Sequence, residues 1–110
     1  MGKTISIIIR TKNEEKFIGE CLTAVFNQNY KDFEVLVIDS GSTDKTMEIA
    51  KKFPVKLLEH HYDGNFKPGE SLNFSIKNST GKFVVFLSAH SIPQTNRWLD
   101  ELLEEIAHMS

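Results

Sequence analysis

Apolar runs and polar clusters alternate along this chain with two different periods. From Thr4 to Ile9 the sequence is almost continuously apolar and β-branched, the pattern of a central strand covered on both faces. Phe17, Ile18, Cys21, Leu22, Val25 and Phe26 then recur as pairs four apart, which predicts a helix with all of them on one face. Thr11 followed by Glu14 has the form of a capping box, so this first helix is expected to begin near Asn13. A second strand is expected over Phe33 to Asp39, and the cluster Ser40 to Asp44 supplies turn and cap chemistry for a helix through Met47, Ile49, Ala50 and Phe53. Pro54 stops that helix, and Val55 to Leu58 make a short third strand.

After a polar, irregular stretch from Glu59 to Pro68, a short helix is predicted from Gly69 to Asn78, ending at Thr80-Gly81. Lys82 to Leu87 form the fourth strand, and Pro93 is expected to open a last helix whose apolar face carries Trp98, Leu99, Leu102, Leu103 and Ile106. Strictly alternating strands and helices imply an α/β fold, a doubly wound and mostly parallel sheet with helices on both faces. The expected strand order is 3-2-1-4. Winding then reverses between strands one and four, and the crevice at their C-terminal ends is where such sheets hold ligands. Arg10 to Glu14, Asp39 to Asp44 and Ser88 to Ser91 converge there.

Size and charge narrow the field. A chain of 110 residues holds one domain, and 13 basic against 15 acidic residues, scattered without a cationic stripe, argue against nucleic acid as a partner. Cys21 has no partner for a disulfide and falls on an apolar helical face, so burial as a small hydrophobe is expected. No apolar run reaches the roughly 20 residues of a membrane span, and no signal-peptide core is present, so a cytoplasmic setting is expected, with membrane association left to a longer protein. Met1-Gly2-Lys3-Thr4-Ile5-Ser6 matches a myristoylation pattern, but Gly2 leads into a strand expected to be buried.

The segment from Val37 to Asp44 puts a carboxylate, Asp39, at the end of a strand and a hydroxyl-rich turn at a helix N-terminus. Asp39 can accept from a ribose or base edge, while the Ser and Thr hydroxyls and the turn amides can donate to a ligand. The same residues are also ordinary helix caps. No Gly-x-Gly-x-x-Gly follows strand one and no P-loop or nucleophile elbow occurs, which disfavours dehydrogenase, P-loop kinase and α/β-hydrolase readings.

Ser6-Ile7-Ile8-Ile9-Arg10-Thr11-Lys12-Asn13-Glu14 followed by Val37-Ile38-Asp39-Ser40-Gly41-Ser42-Thr43-Asp44 resembles the family 2 glycosyltransferases of the GT-A fold. Phe66 to Asn73, Thr80-Gly81, Phe86 to Pro93 and Trp98-Leu99 resemble the bacterial branch that includes rhamnosyltransferases of polysaccharide assembly. The resemblance implies an inverting transfer from a nucleotide-sugar donor to a glycan or lipid-linked acceptor. The residues it places at the donor are Arg10, Thr11, Lys12, Asn13, Glu14, Asp39, Ser40, Gly41, Ser42, Asn73, Ser88, Ala89 and His90.

Two departures from the family pattern stand out. Many members carry a second carboxylate where this chain has Ser40, so the usual base contact is altered. The metal-binding Asp-x-Asp after strand four is here Ser88-Ala89-His90, and the divalent metal that the family implies, manganese or magnesium, would have to be held by His90. His90 is either a replacement metal ligand or a metal-free donor toward the diphosphate. His60 and His61 are expected to be solvated loop residues.

Family members also carry an acceptor-binding half with the general base. This chain is expected to be a single nucleotide-sugar-binding domain over residues 1–110 without that half, with no residue assignable as catalytic base. The exposed edge of strand four or the last helix would then favour a homo-oligomer. A non-catalytic nucleotide-binding module and a structural assembly domain with a decayed site are the alternatives.

Overall fold

The computed structural model describes residues 3–60 and 68–109. Eight elements alternate as β1 (Ile5–Thr11), α1 (Ile18–Phe26), β2 (Phe33–Asp39), α2 (Thr46–Ala50), β3 (Lys56–Glu59), α3 (Pro68–Lys77), β4 (Phe83–Ser88) and α4 (Trp98–Met109). The four strands form one parallel sheet in the expected order β3-β2-β1-β4. Ile8 of β1 pairs with Leu36 of β2 and Phe86 of β4, and Thr11 pairs with Asp39, so the tops of β1 and β2 are level.

Alternation along the strands sorts side chains onto two faces. Ile5, Ile7, Ile9, Val35 and Val37 join Ile18, Cys21, Leu22 and Val25 of α1 and Leu99 of α4 in the larger core, while Ile8, Leu36 and Ile38 face Phe74 of α3. β1 is therefore covered on both faces, as its unbroken apolar run requires. Cys21 is fully buried, and burial pushes its thiol up to about 11, which makes it inert filling.

The start of α1 differs from expectation. Thr11 is still in β1 and its hydroxyl donates to Asp39, so it caps nothing, and Asn13 takes a left-handed φ of 55° that ends the extended path. A turn follows, in which the Phe17 and Ile18 amides both donate to the Glu14 carbonyl, and α1 begins only at Ile18. Phe17 consequently leaves the apolar face and is 38% exposed.

Pro93 does not open α4, which starts at Trp98. The cause is Gln28, a side chain that is 1% exposed behind α1. Its Nε2 donates to the Thr95 carbonyl at 2.6 Å and its Oε1 accepts from the Leu99 amide at 3.1 Å, while the Asn29 amide donates to the Asn96 carbonyl at 2.8 Å. The chain from 91 to 97 is thus tied down in irregular form, and Gln28 supplies the cap that the first turn of α4 needs.

At the opposite end of the sheet, Glu34 accepts from the Ser6 hydroxyl and from both the amide and hydroxyl of Thr80, and the Gly81 amide donates to the Ser6 hydroxyl at 2.7 Å. This knot fixes the approach to β4. Burial raises the Glu34 carboxyl, but the hydrogen bonds from Ser6 and Thr80 outweigh it and hold the group below the usual carboxylate range.

Candidate functional site

Because β1, β2 and β4 are parallel, the segments Arg10 to Glu14, Asp39 to Asp44 and Ser88 to Ser91 all emerge at one end of the sheet, where the winding reverses between β1 and β4. The first two are bound to each other. Asp39 is 1% exposed, and its Oδ1 accepts from the Thr11 hydroxyl at 2.9 Å and the Ser42 hydroxyl at 2.6 Å. Its Oδ2 accepts from the Gly41 amide at 3.0 Å and the Ser42 amide at 2.8 Å. Four donors saturate the carboxylate. Burial alone would raise its pKa, yet the bonds from Ser42, Thr11 and Gly41 prevail and keep it low. Gly41 has a φ of 110°, a conformation that glycine reaches without strain and that turns its amide back toward Asp39.

Further bonds lace the two loops together. The Asn13 amide donates to Ser42 Oγ at 2.8 Å, and Asn13 Oδ1 accepts from the Thr43 amide at 2.8 Å. The Glu14 amide donates to Thr46 Oγ1 at 2.7 Å, and Thr46, fully buried, in turn donates to Asp44. The Ser40 amide donates to the Thr11 carbonyl at 3.0 Å. The amides of residues 40 to 43 therefore all donate inward, correcting the expectation that the turn amides offer themselves to a ligand. What results is a rigid floor, from which Arg10 and Lys12 stand exposed and on which Ser40 is half-buried.

β4 brings His90 across the crevice. Its Nε2 lies 2.9 Å from Glu14 Oε1, and its ring meets Phe17 edge-on with centroids 4.7 Å apart. His90 is exposed and Glu14 is mostly covered, with 57% and 16% of the respective side chains accessible. Ser88 is exposed and accepts from the His90 amide at 3.3 Å, whereas Ala89 is 1% exposed and belongs to the core. Asn73 does not join this group: it stands in the middle of α3, over the opposite face of the sheet, with an exposed side chain.

His60 corrects the expectation of a solvated loop histidine. Its ring stacks on Phe74 with centroids 4.4 Å apart, and its amide donates to the Asp39 carbonyl at 2.8 Å. Gly2, His61 and the Phe66-Lys67 part of the motif lie outside the described residues.

Sequence reasoning missed Thr46, Gln28 and Phe17 as builders of this end of the molecule. Asp44-x-Thr46 carried a signal in its Asx-turn spacing. Gln28 carried none, because its partners are 67 and 71 residues away.

As a metal centre the arrangement supplies one imidazole and one carboxylate. Among the described residues no group of three or more His, Cys, Asp or Glu side chains comes together to hold an ion. His90 and Glu14 suit a transition ion that shares its coordination with a ligand's oxygens, rather than an ion caged by protein alone. Among the described residues no helix is long and apolar enough to cross a membrane.

The family described as glycosyl transferase family 2 matches residues 6–109. The chain is 40% identical, over 82% of its length, to the dolichyl N-acetyl-alpha-D-glucosaminyl phosphate 3-beta-D-2,3-diacetamido-2,3-dideoxy-beta-D-glucuronosyltransferase of Methanococcus voltae, and spans 30% of that protein. It superposes on Staphylococcus aureus TarS in complex with UDP with a TM-score of 0.80 at 30% identity, covering 98% of this chain and 32% of that one. A third likeness is the glucosyl-3-phosphoglycerate synthase of Mycobacterium tuberculosis, solved with Mn2+, UDP and glucosyl-3-phosphoglycerate, at TM-score 0.77 and 25% identity over 96% of this chain and 40% of that one.

Proposed function

The chain belongs to glycosyl transferase family 2, and from that premise we propose that it forms the donor-binding part of an inverting transferase. The donor is a nucleoside diphosphate sugar and the acceptor a hydroxyl of a glycan or lipid-linked glycan. In the single displacement, the acceptor oxygen bonds to the anomeric carbon as the bond to the diphosphate breaks, and the hydroxyl proton passes to a base. None of the residues described here is assigned as that base.

One observation supports this reading most: the loops after β1 and β2 are locked into a single floor by Asp39, and β4 brings His90 to the edge of that floor. Preorganised polar ground at a switch point suits a dinucleotide-sized ligand. Arg10 and Lys12 supply positive charge for the diphosphate, and the Ser40 hydroxyl offers both a donor and an acceptor to the ribose or base. Asp39, Thr11, Asn13 and Ser42 act as positioning residues, holding the floor in shape. Bound manganese would neutralise charge on the leaving diphosphate, with His90 and Glu14 as its protein ligands.

Calorimetric titration with UDP, GDP and dTDP, their sugars, and manganese tests the proposal. Saturable binding of a nucleoside diphosphate is the expected result, and absence of binding to all of them overturns it. The replacement of both carboxylates by Ser88 and His90 favours a second reading, a nucleotide-binding module without transferase chemistry. Binding without any hydrolysis or transfer of a nucleotide sugar would support that alternative.

A further inference from the structure

Beside the loop that carries His90, a cavity of about 340 Å3 opens between the end of β4, the 91–97 segment and the first turn of α4. Leu87, Ile92 and Trp98 form its apolar wall, and Ser91, Gln94 and Glu101 add a hydroxyl, an amide and a carboxylate. Among the described residues no lysine, arginine or histidine lines it. An anion such as a diphosphate finds no counter-charge among these residues, whose ionisable group, Glu101, offers oxygens as acceptors.

An aromatic and aliphatic lining combined with hydroxyl, amide and carboxylate groups matches a sugar ring. One face of a pyranose is a sheet of C–H groups that packs on an indole, and its rim is a belt of hydroxyl donors that an ionised carboxylate accepts strongly. The volume lies at the small end of the range for ligand pockets, about 300–1,000 Å3, and suits one ring rather than a nucleotide.

The walls are also built in advance. Gln28, buried behind them, holds the Thr95 carbonyl and the Leu99 amide, and the Ser91 amide donates to the Ser88 carbonyl at 2.9 Å. Gln94 is fixed at the rim by its Nε2, which donates to the Ile92 carbonyl at 2.9 Å.

We propose that this cavity is a subsite for a neutral pyranose ring, with Trp98 as the stacking platform and Glu101 and Gln94 as hydroxyl partners. The inference deepens the transferase reading and rests on it for the source of the sugar, which is either the donor's sugar or a unit of the acceptor glycan.

Trp98 is the single tryptophan of the chain, so its fluorescence reports on the cavity directly. The emission should shift on titration with UDP-N-acetylglucosamine, UDP-glucose or GDP-mannose, but not with UDP or GDP, if the donor sugar enters. It should shift with methyl glycosides of the same sugars, at the millimolar affinities typical of such small ligands, if an acceptor unit enters. Glu101→Gln, at an exposed position, should keep the fold and lower the affinity for the responding sugar about tenfold while leaving that for the nucleoside diphosphate unchanged.

No shift with any of these sugars, or a shift untouched by both Glu101→Gln and Gln94→Ala, overturns the subsite. Nucleoside diphosphate binding without a sugar response would leave the donor-site reading standing and remove this one. A response to methyl glycosides in a protein that binds no nucleotide would do the reverse.

Discussion

Thr11 and Asp39 face each other at the last register position of β1 and β2, and the Thr11 hydroxyl donates to Asp39 Oδ1 at 2.9 Å inside the protein. Each ends its strand, and each starts a loop that the other holds. On the proposed donor-site reading, Asp39 acts as a positioning residue that shapes the floor through its neighbours. Only 1% of its surface is accessible, and its four accepting positions are taken.

Asp39→Asn is accordingly expected to act on folding as much as on binding. An amide in place of the carboxylate turns one acceptor into a donor that must face amide or hydroxyl hydrogens. The cost should be about 1.5–3 kcal/mol, the range for a hydrogen bond to a charged group. Because the folded-state pKa of Asp39 is held low, its contribution is present above its ordinary value of about 3.9 and is lost as pH falls through that value and then through the lower folded one. Urea unfolding should therefore show a gap between wild type and Asp39→Asn that is wide at pH 7 and narrows as pH falls below about 3.9. A gap independent of pH would mean that the variant damages packing rather than the charge.

Gly81→Ala should destabilise through backbone overlap. A Cβ there would sit 2.4 Å from the Ser6 amide nitrogen and 2.8 Å from the Ile5 carbonyl carbon, atoms of the central strand that cannot swing aside. Overpacking of this kind costs about 1–3 kcal/mol or more, and here it also breaks the Gly81 to Ser6 hydrogen bond. Thermal melting should drop by several degrees, whereas Gly19→Ala, whose Cβ would meet only a side-chain methyl of Ile49 at 3.3 Å, should change little. Equal effects at the two positions would refute the argument.

The outer edge of β4 carries no strand among the described residues, and Phe86 on it is 46% exposed. The strand has neither a proline nor an internal charge to discourage pairing. The 110-residue chain should therefore self-associate through this edge at high concentration, and Phe86→Lys should shift the light-scattering mass toward the monomer. A wild type that stays monomeric at millimolar concentration would show the edge to be protected.

How far the sequence told this in advance depended on the range of the forces involved. The strand order was legible because β-branched runs and paired helical positions are local patterns, and right-handed crossovers leave few topologies. The convergence of Arg10 to Glu14 with Asp39 to Asp44 followed from that order. The roles within it did not, because they rest on side chains choosing one partner over another. Thr11 and Glu14 have capping-box spacing, but Thr11 finds a buried carboxylate across the sheet and Glu14 finds His90. Ser42 reads as a ligand donor, yet its hydroxyl turns inward to Asp39. Pro93 reads as a helix start, yet the cap at Leu99 comes from Gln28, 71 residues earlier. Local spacing describes what a residue is able to do, and long-range contacts decide which of those options is used.

Glu14 and His90 provide the test of metal use. Their side chains meet across the crevice at 2.9 Å, but the imidazole is 57% exposed, so solvent competes for the contact and Glu14→Gln should change stability by less than about 1 kcal/mol. Their effect on binding should be larger if they hold a divalent ion with the diphosphate. Nucleotide affinity should then increase when manganese is added, and the increment should be lost in both His90→Ala and Glu14→Gln. Magnesium should substitute poorly, since imidazole favours the softer ion. A chelator should abolish the manganese increment in wild type and do nothing in His90→Ala. If UDP affinity is the same with and without chelator and His90→Ala lowers it in both, His90 instead donates directly to the diphosphate. Calorimetric titrations of wild type and His90→Ala, each with manganese and with chelator, separate the two roles: only the metal-ligand role makes the effect of His90→Ala vanish under chelator.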